Sequence, residues 1–405
     1  MDLFSKCVGF FSDPAMAQAM GYATNPRTAQ QMGFYPYFIA LDQTEGTEVT
    51  IEGKRLIMIG SNNYLGLTVH PQVRQAAIEA IEQYGTSCTG SRFLNGTLVL
   101  HRQLEEQLAE YVGKEKALVF STGYQTNLGT ISALVGRGDL VIIDKEDHAS
   151  IVDGCRMALG QMKRFRHNDM ADLEHVLAGC PADASKLVVV DGVFSMGGDI
   201  APLSEIIPIC KKHGARLMVD DAHSLGVLGG GRGTAAHFGV TEDIDLIMGT
   251  FSKSFASIGG FIAGSEPVIH WIQHFGRSLI FSASLPAPNV AAVLAALHIM
   301  RNEPARVQRV NDIGERMRQG YRALGFNIGE SQTPIIPIII GDQMRTILMW
   351  KALMEAGVYT NVALPPAVPE GQALLRTSYM ATHTDDQMDR VLEVFAQVGK
   401  EMGVI

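Results

Sequence analysis

The chain has 405 residues, 46% hydrophobic and 19% charged, which suits a large folded domain with a smaller companion and excludes a disordered protein. A formal net charge of −9 gives no electrostatic reason to expect a nucleic-acid partner, and the basic run Lys163–His167 reads as a solvated strand edge. Five scattered cysteines, Cys7, Cys88, Cys155, Cys180 and Cys210, show no CxxC spacing; they argue for a reducing, cytoplasmic setting and against a disulfide or zinc framework.

In chain order, "MDLFSKCVGFFSDPAMAQAM" has the pattern of an amphipathic helix, packed on its own protein or touching a membrane surface as a peripheral contact. No basic region leads into an apolar stretch there, so no signal peptide is expected. No apolar run reaches the roughly 20 residues of a membrane span. The alternating "EVTIEGKRLIMIG" predicts a hairpin turning at Glu52-Gly53. Residues 1–60 therefore form an N-terminal segment of helix and hairpin. From 61 to 288, apolar runs ("ALVFS", "LVIID", "LVVVDG", "RLMVD", "LIMG", "FIAG") alternate with helical stretches such as "RQLEEQLAEYVG" and "LSEIIPICKKHG". That alternation predicts a large α/β domain with a mostly parallel sheet covered on both faces. Residues 289–405 predict a smaller C-terminal α+β domain with strands "IIPIII" and "ALLRTSYM" and a last helix "DQMDRVLEVFAQVGKEM".

Ligands of open parallel sheets sit beyond the carboxyl ends of the strands. Those ends carry Ser121, Gly123 and Tyr124; His148; Ser195; Asp220, Asp221 and His223; and Thr250, Ser252 and Lys253. Lys253 lies among small and apolar residues, where burial disfavours the charged form and leaves a nucleophilic amine suited to an aldehyde. Thr250 and Ser252 offer hydroxyls, and the helix expected from Gly123 offers free N–H groups, for a phosphate. Asp220 suits a protonated ring nitrogen and His148 a ring face. Together these describe a site for pyridoxal 5'-phosphate (PLP) within 61–288.

Other readings exist for single elements. Lys253 alone reads as a snorkelling surface lysine, and Asp220 alone as a helix N-cap. "DDAH" with His148 offers metal ligands but no convincing third and fourth partner. "GVFSMG" lacks the first glycine of a hydrolase elbow, Val193 standing in its place. "GGGRG" lacks the strand-then-helix context of a dinucleotide fingerprint.

The runs "GSNNYLGL", "GSRFLNGT", "FSTGYQTN", "DHASIVDG", "DGVFSMGGDI", "VDDAHSLGVLG" and "GTFSKSFASIGGF" resemble the α-oxoamine synthases. These are fold-type I PLP transferases that join an amino acid to an acyl-CoA and lose carbon dioxide. "GSRFLNGT", "MGTFSKS" and "LPPAVP…LLRTSYMATHT" are most similar to the branch that joins L-serine to a long-chain acyl-CoA. The rivals within the family differ in amino acid and acyl chain: 8-amino-7-oxononanoate synthase, 2-amino-3-ketobutyrate CoA ligase and 5-aminolevulinate synthase. A catalytically silent partner subunit is a further alternative, against which the intact Lys253, Asp220 and His148 count.

The resemblance implies that Lys253 bonds the cofactor aldehyde and moves protons. Asp220 then pairs with the pyridine nitrogen, and His223 and Ser195 meet the phenolic oxygen. His148 stacks on the ring and touches the substrate carboxylate. Gly123, Tyr124, Thr250 and Ser252 surround the phosphate, with Ser282 reaching that of a neighbouring subunit in a homodimer with shared sites. Arg376 binds the amino-acid carboxylate, and Asn62 faces the substrate. Leu364 stands where some members of that branch carry an arginine, so Arg376 and His148 would hold the carboxylate without it.

Overall fold

A computed structural model describes residues 2–5, 7, 8 and 26–405. Most of the expected N-terminal amphipathic helix lies outside the described residues. Among the described residues no helix is long and apolar enough to cross a membrane, and the five cysteines are free.

The chain forms two compact units, one of residues 1–61, 196–198 and 312–405, the other of residues 62–195 and 199–311. The first begins with β1 (Gln43–Thr44), β2 (Glu48–Ile51) and β3 (Lys54–Met58). Ile51 pairs with Lys54 across the two-residue turn Glu52-Gly53. Both turn residues have positive φ, 50° and 74°, the twist that closes tight hairpins.

The second unit holds a seven-stranded sheet: β4 (Lys116–Phe120), β5 (Leu140–Asp144), β6 (Gln161–Phe165), β7 (Lys186–Asp191), β8 (Arg216–Asp220), β9 (Leu246–Thr250) and β10 (Gly260–Gly264). Its order is β4-β10-β9-β8-β7-β5-β6. Strands β5, β7, β9 and β10 are buried along their whole length, as expected of a sheet covered on both faces. Phe120, Ile131, Val141, Ile151, Val189, Met218, Met248 and Ile262 belong to one apolar core of this unit. Strand β10 runs antiparallel to both β4 and β9. The link from Thr250 to Gly260 holds no helix, and a parallel return needs a crossover of a dozen or more residues. The basic run begins in β6 and ends two residues past it; β6 is an edge strand whose only buried residue is Phe165.

The first unit is completed by β11 (Ile335–Gly341), β12 (Val358–Tyr359), β13 (Asn361–Ala363) and β14 (Ala373–Ser378). Strand β12 pairs with β3, so the expected separate segment 1–60 shares its unit with the C-terminal chain. Strands β11, β14 and β13 form an antiparallel sheet. Its core includes Tyr321, Ile338, Leu375, Tyr379 and Phe395, with Leu364 packed against it. The last helix, Asp385–Glu401, opens on a capping box formed by Thr384 and Gln387. Ahead of β11 stand two helices, Ala287–Asn302 and Pro304–Leu324, separated because Pro304 lacks the N–H that would continue the first.

Candidate active site

A cavity of about 310 Å³ opens at the carboxyl edge of the seven-stranded sheet. Lys253, Asp220, His148, His223, Thr250, Ser252, Gly123 and Tyr124 all line it. Asn127, Ser150 and Asp191 line it as well.

Lys253 follows β9, and Phe251 and Phe255 on either side are fully buried. Their rings meet edge to face at 5.5 Å, and Phe251 also stacks on Phe261. These anchors fix the loop and leave Lys253 half-buried at the cavity. Thr250 Oγ1 lies 2.9 Å from Ser252 Oγ, so the two hydroxyls present one polar corner. The helix Gly123–Leu134 begins against that corner. A Cβ on Gly123 would come within 2.6 Å of Thr250 Oγ1, so only glycine permits this approach. Thr122 caps the helix by accepting from the Gln125 N–H. The first N–H groups of a helix have no intrahelical partner; here they belong to Gly123 and Tyr124.

Asp220, at the end of β8, is 3% exposed. Its Oδ2 accepts from Asn127 Nδ2 at 2.7 Å and its Oδ1 from the Ala222 N–H at 3.0 Å. Asp221 faces other partners: its carboxylate accepts from Ser224 Oγ and the Thr234 N–H. Burial raises its pKa to about 6. The "DDAH" run thus splits into a cavity aspartate and one that ties down the following glycine-rich loop. His223 is buried, and the Tyr64 hydroxyl lies 2.6 Å from its Nδ1. Tyr64 in turn donates to Asn62 Oδ1 at 3.3 Å, which links Asn62 to the cavity through two residues.

His148 caps the helix Ala149–Met157 and stays accessible from the cavity. Desolvation by the surrounding protein lowers its pKa; Asp220 opposes that and Lys253 adds to it. Its backbone N–H donates to Asp191 Oδ2 at 3.1 Å. Asp191 and Asp147 are buried, and desolvation pushes both carboxyls well above the usual range, with repulsion from Asp191 adding on Asp147 and repulsion from Asp220 adding on Asp191.

Ser195 sits half-buried in the turn after β7, outside the lining. Ser282 accepts from Gln125 Nε2 at 3.0 Å, one turn into the Gly123–Leu134 helix. Tyr124 is largely exposed, its hydroxyl donating to Asp153. Arg376 lies in β14 of the other compact unit, 5% exposed and opposite Pro337 and Asn361. Sequence reasoning passed over Asn127, Ser150 and Asp191. Asp191 ends a strand and was open to the same logic as Asp220. Asn127 and Ser150 lie inside helices and carried no such signal.

The fold is that of the fold-type I PLP-dependent transferases. Residues 54–395 match the model of the aminotransferase class I and II family, and the chain belongs to that family. Among curated proteins it is 53% identical over 368 residues to a serine palmitoyltransferase of Bacteriovorax stolpii, covering 90% of this chain and 88% of that one. It is 43% identical to an 8-amino-7-oxononanoate synthase of Symbiobacterium thermophilum, covering 88% of this chain and 91% of that one. Among solved structures it resembles a serine palmitoyltransferase from S. paucimobilis with a bound PLP–myriocin aldimine. The TM-score there is 0.94 and the identity 39%, with both chains fully covered.

Proposed function

We propose that this chain uses PLP to condense L-serine with a long-chain acyl-CoA such as palmitoyl-CoA. The products are CoA, carbon dioxide and 3-ketodihydrosphingosine, so the reaction is the first step of sphingolipid biosynthesis. The observation that carries this reading is the convergence of Lys253, Asp220 and the Gly123–Thr250–Ser252 corner on one cavity. The donor set fits the cofactor: an amine for an aldehyde, a carboxylate for a ring nitrogen, and hydroxyls with a helix start for a phosphate. When bound, PLP supplies an electron sink that stabilises negative charge at the serine Cα.

The protein supplies the rest. Lys253 would hold the cofactor aldehyde, and its amine would move the Cα proton of the substrate. Asp220 would accept from the ring nitrogen, oriented by Asn127 and the Ala222 N–H. His148 packs on the ring and holds the serine carboxylate out of line until the acyl donor arrives. His223 and Ser195 take the phenolic oxygen, Tyr64 fixing the His223 ring. Arg376 is assigned to the serine carboxylate because a guanidinium grips it with two parallel hydrogen bonds. Asn62 is assigned to the substrate.

A second copy of the chain completes the site, with Ser282 reaching the phosphate held by its partner. Support comes from the surface around Ser282. A bridge between Ser91 and Ala283 joins two loops that expose Phe281 at 73% and Leu94 at 79%, an apolar patch that association would cover. Five scattered cysteines without CxxC spacing are what suggests a reducing, cytoplasmic setting.

Steady-state kcat/KM for glycine, alanine and serine, each with palmitoyl- and pimeloyl-CoA, tests the reading. Serine with palmitoyl-CoA should be the best pair. Alanine with pimeloyl-CoA as the best pair would make the chain an 8-amino-7-oxononanoate synthase.

A further inference from the structure

A chain of side-chain hydrogen bonds crosses the floor of the cavity and ends on His148. Its first member, Asp220, is a carboxylate and can only accept. The Asn127 atom 2.7 Å from it is therefore the amide nitrogen, which fixes the orientation of that amide. The second hydrogen on the same nitrogen goes to Ser150 Oγ at 2.8 Å. Ser150 Oγ, accepting from Asn127, has its own hydrogen left for His148 Nδ1, 2.8 Å away. The Ser150 backbone N–H, which can only donate, also points to Nδ1 at 3.3 Å. Nδ1 is thus an acceptor twice over, and a neutral imidazole in this position carries its proton on Nε2.

We propose that Asn127 and Ser150 are positioning residues that relay the orientation of the Asp220 carboxylate to His148, holding its ring in the Nε2-protonated form. The inference rests on the reading that His148 faces the cofactor ring. It adds that one carboxylate would serve the site twice: it would meet the ring nitrogen directly and it fixes the His148 imidazole through two side chains.

Packing makes the relay rigid. Asn127 is fully buried and Ser150 is 2% exposed. Their helices, Gly123–Leu134 and Ala149–Met157, approach so closely that a Cβ on Gly154 would stand 3.0 Å from the Asn127 carbonyl oxygen. The titratable groups around His148 are Asp220 and Lys253, Asp191 on its backbone N–H, Asp147 behind Asp191, and Tyr124, whose ring lies 6.3 Å away. None of them offers Nδ1 a hydrogen bond in place of Ser150. A donor to Nδ1 favours the neutral ring, so removing the Ser150 hydroxyl should let His148 take up a proton at higher pH.

The test uses the PLP-loaded full chain labelled with ¹⁵N-histidine. His148 should show an unprotonated Nδ1 and a protonated Nε2. Ser150→Ala, which leaves only the backbone N–H on Nδ1, should raise the share of the Nδ1-protonated tautomer, move the His148 titration to higher pH, and shift the acidic limb of the kcat/KM profile the same way. The loss in kcat/KM should be about tenfold, the worth of one hydrogen bond. Ser150→Thr, which restores the hydroxyl, should recover the wild-type spectrum and profile. Asn127→Ala should reproduce the Ser150→Ala spectrum. A wild-type His148 protonated on Nδ1, or a Ser150→Ala protein with wild-type shifts and pH profile, overturns the proposal. The spectral arm needs no turnover, so a chain inactive with serine and palmitoyl-CoA but showing the expected tautomer would defeat the proposed reaction and leave the relay standing.

Discussion

The two edges of the seven-stranded sheet each carry a cavity, and the larger is not the one to which the proposed chemistry is assigned. The amino-edge cavity is about 590 Å³ and is lined by Lys114, Lys186, Arg216, Glu115 and Asp139 among others. Its charges serve the backbone beside them. Lys114 donates to the Thr241 and Ile244 carbonyls, Lys186 to the Ala184 carbonyl, and Asp139 accepts from the Gly136 N–H. Arg216 pairs with Asp245, which also holds the Leu217 N–H. At the carboxyl edge the partners are side chains from remote parts of the chain. Asn127 and Asp220 are 93 positions apart, Tyr64 and His223 159. Ordering two distant side chains against each other costs conformational entropy. Networks of that kind mark where geometry is being held for chemistry, and volume does not.

The sharpest way to break this comparison is to remove the amine. Lys253→Ala should lower CoA release by about 10³-fold or more, since the proposed proton-transfer group is lost along with the proposed partner of the aldehyde. Borohydride should fix the cofactor to Lys253 in the wild type and to nothing in the variant. Turnover near the wild-type rate would show that the carboxyl edge is not the reacting one.

The adjacent aspartates offer the next largest effect. Asp220→Asn should cost about 10²-fold in kcat/KM, about 2.7 kcal/mol, by removing the charge proposed to meet the ring nitrogen. Asp221→Asn should leave kcat/KM within a few-fold and lower Tm, because that carboxylate holds Ser224 and Thr234 instead. Equal rate losses in the two variants would refute this division of labour.

Much of the carboxyl edge was legible because strand ends are legible. Buried apolar runs stop abruptly, and the residues after them, Lys253, Asp220, His148 and Gly123, lie along one edge whatever the strand order. The Glu52-Gly53 turn was legible for a similar local reason. What was hidden arose from pairings across the chain. The direction of β10 depends on which neighbours it joins, and the place of residues 1–60 depends on β12 pairing with β3. Asn127 and Ser150 reach each other only because two helices close around Gly154. Nothing in either helix's own periodicity announces that contact.

Stability at the carboxyl edge should also carry a pH signature. His167 bridges Asp144 and Asp199 at 3.0 Å each, and Phe194 meets its ring edge-on at 4.4 Å. Burial opposes the charged ring, but the two carboxylates outweigh it and raise its pKa from 6.5 to about 10. A folded pKa above the unfolded one means the folded state holds the proton more tightly. The stabilisation is then complete below about 6.5 and fades as pH rises through about 10. His167→Gln should cost about 1–3 kcal/mol at pH 6. Its Tm deficit relative to the wild type should shrink between pH 7 and pH 10. A deficit that does not change with pH would mean that the bridge contributes packing alone.

The smallest effect on activity is expected at the amino edge. Lys114 is partly buried, and burial lowers its pKa, with Glu242, Asp245 and Asp243 pulling the other way. Its ammonium bonds two carbonyls, of Thr241 and Ile244, at 2.5 and 2.6 Å. Lys114→Met keeps most of the apolar stem and leaves those carbonyls without their donor, a loss of about 1–3 kcal/mol in stability. Nothing in that change reaches the carboxyl edge, because the sheet between is a close-packed layer whose strands stay paired. The variant should unfold at lower urea with kcat/KM within about twofold of the wild type, the range of substitutions remote from a working site. A tenfold loss of kcat/KM with the cofactor still fully bound would show that the larger cavity communicates with the chemistry, and the contrast between the two edges would fail.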